Sequence, residues 1–81
     1  MNEITLNIKF FGGFRKFGEG LSFAVPTGST IATIKAVLLE KLNGETLVLD
    51  SVLANDNEIL RDDDILNSDA SLSILPPVCG G

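Results

Sequence analysis

The sequence predicts an α+β fold in which one main helix packs on one face of a mixed four- to five-stranded sheet, followed by an extended C-terminal tail. Three observations predict it. Residues 4–10 alternate apolar and polar with the period of a half-buried strand. Ile31, Ile34, Leu38 and Leu42 recur at steps of three and four, the spacing of one helix face. Leu72 and Ile74 alternate with Ser71 and Ser73 immediately before a Pro-Pro pair that no strand interior accommodates.

In the first strand Ile4, Leu6, Ile8 and Phe10 share one face, with Thr5, Asn7 and Lys9 between them, and Phe11 continues onto the other face. Gly12-Gly13 breaks it. FRKFGEG then reads as a connection, and Leu21, Phe23 and Val25 alternate again as the second strand of a hairpin. Pro26-Thr27-Gly28 is a turn, after which Ser29 or Thr30 offers a hydroxyl to the free amides of a first helical turn. The helix runs to about Leu42, with Lys35, Glu40 and Lys41 in water and Asn43-Gly44 as a left-handed stop.

Leu47 to Ala54 reads as a further strand region, Asn55-Asp56-Asn57 as a turn, Ile59-Leu60 as a short strand and RDDD at 61–64 as a solvated bend. The last strand delivers the chain to Pro76. With first and last strands adjacent and parallel, this element order is buried economically as a β-grasp, or ubiquitin-like, arrangement. The expected division is a domain over 1–75 and a flexible tail over 76–81, ending Gly-Gly.

Composition narrows the function. A chain of 81 residues, 44% apolar and 21% charged, makes one globule with little room for a deep catalytic cleft. No stretch reaches the roughly 18 consecutive apolar residues of a membrane span. The net charge of −5, with six scattered Lys and Arg, is wrong for nucleic acid. There is no His, Tyr or Trp, which removes the side chains most used for proton transfer near neutral pH. One cysteine allows neither an internal disulfide nor a thiolate metal site. Glu3, where a leader peptide favours positive charge, points to the cytoplasm.

The candidate sites within the globule are weak. The glycines at 12, 13, 18 and 20 fail the phosphate-loop frame because Glu19 follows Gly18 where that loop requires Lys. RDDD with Asp56 and Glu58 lacks the frame of a calcium loop and reads as an acidic turn. Cys79 has no histidine to activate it as a catalytic thiol and reads as a small side chain tolerated in the tail.

The tail is different. Pro76 and Pro77 fix φ and lack amide donors, so pairing stops there and the chain leaves extended. Val78, Cys79, Gly80 and Gly81 then span about 13–14 Å, and two glycines without Cβ atoms suit a narrow channel. On composition alone the same residues also describe a frayed end.

ILPPVCGG at 74–81 resembles the ending of the MoaD-like small subunits of molybdopterin synthase, in the ThiS/MoaD ubiquitin-like family. IKFFGGFRKFG at 8–18 is similar to that family's opening strand, with its aromatic pair and then an Arg before a Gly. The resemblance spans essentially the whole chain. Cys79 stands where Ser, Thr or Ala is commoner, and Asp69-Ala70 replaces the usual Gly-Asp before the last strand.

This resemblance implies a non-catalytic sulfur carrier. An activating enzyme uses ATP to adenylate the carboxylate of Gly81, which then becomes a thiocarboxylate; the carrier itself binds no cofactor. As small subunit of molybdopterin synthase it would thread its tail into the large catalytic subunit of a heterotetramer and give sulfur to a pyranopterin precursor. A sulfur donor protein completes the partners, with neither nucleic acid nor membrane among them. Phe11, Ile59 and Leu75 match the family's apolar partner patch, and the phase of Phe11 and Leu75 against the inward sets predicts that they are exposed. The alternatives are a carrier for thiamine, cysteine or tRNA thiolation, a ubiquitin-like modifier, or an interaction module with an inert tail; Pro-Pro-Val favours molybdopterin over thiamine.

Overall fold

The computed structural model describes residues 2–76. Alternation at the start of the chain becomes β1 (Glu3–Phe10), whose burial alternates without exception: Ile4, Leu6, Ile8 and Phe10 inside, Glu3, Thr5, Asn7 and Lys9 outside. β2 (Gly20–Pro26) returns antiparallel, in register from Glu3 opposite Pro26 to Lys9 opposite Gly20. Between them the expected loop is instead a 3-10 helix, Gly12–Phe17. It forms because Phe14 is drawn wholly into the core, its ring centroid 6.3 Å from that of Phe10.

A two-residue strand, β3 (Ser29–Thr30), leads into α1 (Ile31–Lys41). Thr30 is the cap, its hydroxyl oxygen accepting from the Thr33 amide at 3.2 Å, while the Ser29 hydroxyl donates back to the Pro26 carbonyl. Ile31, Ile34, Leu38 and Leu42 are all buried, as their spacing predicts. Asn43 and Gly44 have φ of 59° and 80°, and the Gly44 amide donates to the Leu39 carbonyl at 2.7 Å, closing the helix. Lys35 departs from expectation: its side chain is only 13% exposed, and its ammonium meets the Asp62 carboxylate at 2.9 Å.

Leu47 to Ala54 is not one strand. Thr46–Asp50 is a second 3-10 helix that buries Val48 and leaves Leu49 exposed, and only Val52–Ala54 pairs, as β4. The Ser51 hydroxyl donates to the Leu47 carbonyl, and the Ser51 amide to that of Val48, so local i→i+3 and i→i+4 bonds replace ladder bonds. β5 (Ile59–Leu60), β6 (Ile65–Leu66) and β7 (Ala70–Leu75) follow.

β7 lies at the centre of the main sheet, in the order β2-β1-β7-β4-β5, parallel to β1 and antiparallel to β4. β3 and β6 form a separate antiparallel pair beside the helix start. One face of the main sheet buries Leu6, Ile8, Leu53 and Ile74 in a common core with Ile31, Ile34 and Leu38 of α1. The opposite face carries no α-helix among the described residues.

Candidate functional site

Parity along β7 sets the site. Leu72 and Ile74 point into the core, so Ser71, Ser73 and Leu75 point to the other face. The ladders extend that face sideways: Leu75 stands opposite Val52, and Ser73 opposite Ala54, which in turn stands opposite Ile59. On the other flank Ser73 is beside Lys9 of β1. Phe11 follows β1 in extended conformation and keeps its parity, half-buried, with the Lys9 ammonium 5.9 Å from its ring centroid.

The three expected contact residues therefore share the outer face, differing in exposure. Ile59 is 59% exposed, which makes it one of three large apolar side chains so open to solvent among the described residues. Phe11 and Leu75 are half-buried rather than exposed. Leu75 has Val52 across from it, and the aliphatic stem of Lys9 can shelter Phe11. Val52 and Ala54 complete the apolar strip, and nothing but their register on β4 reveals them, because the sequence reads that segment as one long strand.

Pro76, the last described residue, is half-buried at the end of β7. A Cβ added at Gly12 would lie 2.7 Å from its Cγ. In the sequence Gly12 reads only as a strand breaker; no periodic signal marks a contact across 64 residues. Pro77, Val78, Cys79, Gly80 and Gly81 lie outside the described residues.

Alongside the strip, a depression of about 590 Å³ on the same face is lined by Asn7, Lys9, Ser22, Ser71, Ser73 and Asp56, among others. Its polar groups are the hydroxyls of Ser22, Ser71 and Ser73, the Asn7 amide, the Lys9 ammonium and the carboxylates of Glu19 and Asp56, with Ser22 donating to the Asn7 side chain.

The ThiS family model matches residues 8–81, nine-tenths of the chain, through the terminal glycine. The chain belongs to the ThiS family. These ubiquitin-like proteins are small sulfur carriers, generally without catalytic activity of their own. This ThiS-family chain has no significant match among curated protein sequences. Solved structures share its fold at low identity. The protein described as molybdopterin converting factor, subunit 1, from Pyrococcus furiosus superposes with a TM-score of 0.76 at 16% identity, over 93% of this chain and 99% of that one. The N-terminal ubiquitin-like domain of the 4931431F19Rik protein gives 0.72 at 19% identity, over 98% and 79%. Both confirm the β-grasp expected from the element order. Among the described residues, no helix is long and apolar enough to cross a membrane.

Proposed function

We propose that this ThiS-family chain carries sulfur as a thiocarboxylate on Gly81 and serves as the small subunit of molybdopterin synthase. The observation that carries the reading is that the family match over residues 8–81 takes in the Gly-Gly end. The Pro-Pro-Val run before it and a fold neighbour described as a molybdopterin converting factor favour the pterin pathway.

The chemistry follows from what a carboxylate lacks. Its resonance makes it a poor electrophile, so one oxygen of Gly81 attacks the α-phosphorus of ATP and pyrophosphate leaves. The acyl-adenylate now has a good leaving group. A persulfide sulfur from a donor protein attacks the carbonyl carbon and AMP departs; reductive cleavage of the S–S bond by a thiol then frees the thiocarboxylate. That sulfur is a soft nucleophile at neutral pH, and its transfer to a pyranopterin precursor followed by hydrolysis returns Gly81 to carboxylate. A dithiolene holds two sulfurs, so two loaded carriers are consumed for each molybdopterin, which suits a heterotetramer of two small and two large subunits.

ATP, the adenylating site and the transfer site all belong to partners in this scheme. The chain supplies the tail and an outer face from Phe11 through Leu75 to Ile59 on which partners dock. The cytoplasm, where ATP and reducing thiols are abundant, is the fitting compartment. The pathway is tested by mixing the thiocarboxylate form with the cognate large subunit and the pyranopterin precursor. Dithiolene formation is expected; failure to form it, with sulfur delivered instead to a thiazole or tRNA acceptor, would move the chain to another branch of the family.

A further inference from the structure

Gly12 stands where the beginning and the end of the sheet meet. β1 and β7 are parallel, with Phe10 beside Ile74, so both strands finish at the same edge of the molecule. There the Gly12 backbone has φ of +57°, and a Cβ built on it falls 2.7 Å from Pro76 Cγ, 3.5 Å from Cδ and 3.8 Å from Cβ. The closest of these is nearer than side chains tolerate, and a proline ring, closed onto its own backbone, cannot swing aside as a flexible side chain does. An L side chain at position 12 is therefore opposed twice, by conformation and by Pro76.

The platform under this contact is rigid. Phe10, two residues before Gly12, is 2% exposed and Phe14, two residues after, is fully buried. The Phe14 amide closes the turn onto the Phe11 carbonyl at 3.1 Å. On the other side, Ile74 is fully buried two residues before Pro76. Both partners are thus clamped by core side chains, and the empty volume over Gly12 is a seat.

We propose that Gly12 is a positioning residue for the tail: by having no side chain it seats the Pro76 ring, and this fixes where the five residues ending at Gly81 begin. The inference rests on the reading of Gly81 as the activated group. A partner that holds the outer face must receive the carboxylate at a set distance from that face. A displaced starting point changes how far and in which direction the carboxylate reaches from that face, and misplacements of about 1 Å at a reacting centre cost up to about 10²-fold in rate.

The test compares Gly12→Ala with Gly44→Ala. Gly44 also has positive φ, 80°, but nothing within 4 Å of an added Cβ, so it reproduces the backbone strain without the contact. With the activating enzyme, Gly12→Ala is expected to lower kcat for adenylation by about tenfold or more while KM changes little, because the docking face is intact. Gly44→Ala is expected to leave both unchanged. In a Pro76→Ala background the Gly12→Ala loss should largely vanish, as the ring atoms it collides with are gone. Equal behaviour of the two glycine variants, or an undiminished loss without the ring, overturns the proposal. Nuclear Overhauser contacts between the Pro76 ring and the Gly12 α-protons in the unaltered protein read the seat without any partner. Their absence also overturns the proposal, whereas their presence with no adenylation of the unaltered protein overturns the reading of Gly81 and leaves the seat.

Discussion

At Ile59 a small contribution to stability can be separated from the proposed contribution to recognition. The residue sits on a two-residue edge strand, 59% exposed, with only Ala54 across the ladder, so the fold gains little from its side chain. Ile59→Thr keeps the β-branched shape and should change unfolding free energy by no more than about 0.5 kcal/mol. Affinity for the large subunit should fall roughly tenfold, equivalent to about 1.4 kcal/mol, when measured by calorimetry. An unchanged affinity would remove Ile59 from the proposed docking face. Leu75 and Phe11 would give less clean answers, because both are half-buried and their loss disturbs packing as well. Parity places Phe11 and Leu75 on the outer face from sequence alone; how far each is sheltered depends on cross-strand neighbours that a one-dimensional pattern does not contain.

Elements with a long period are legible in the sequence and short ones are not. Eight alternating residues leave β1 no other face to bury, and four apolar residues at helical spacing do the same for α1. β3 and β6 are two residues each, too short to carry any period, and they exist through pairing with each other. The segment from Leu47 to Ala54 is dense in β-favouring residues, yet its first half closes 3-10 turns around Val48, a tertiary demand that outweighs propensity. The acidic bend does more than its charge pattern suggests. The carbonyls of Asp64 and Asp62 accept from the amides of Ile31 and Ala32 at 3.0 Å each, so this bend satisfies the first turn of α1 while Asp62 pairs with Lys35. The Thr30 hydroxyl then takes up the amide of Thr33. Thr30→Ala should cost about 1 kcal/mol in urea denaturation, seen as a lower midpoint with unchanged slope. A loss well beyond about 2 kcal/mol would show that the hydroxyl does more than cap.

In the molecule as a whole, the proposed function divides the work between the domain and the residues that follow its last strand. The domain packs one sheet face against α1, and the other carries the apolar strip and the polar depression that the proposal assigns to partners. On the proposed reading the reactive group is the carboxylate of Gly81, so that a domain without histidine could take part in a reaction sequence through its tail. The proposed assignment is legible in the sequence because PPVCGG is a pattern independent of packing, whereas the neighbours that make up the outer face are set only by the ladders. Deleting Gly81 should leave the melting temperature within about 2 °C while removing sulfur acceptance, since the residue lies beyond the strand that closes the sheet. The central claim is tested most directly by the intact mass of the protein isolated from its native cell. A species heavier by the difference between sulfur and oxygen is expected, mapping to Gly81 and missing from the Gly81 deletion. A free carboxylate under every growth condition, or conjugates joined through lysine, would contradict it.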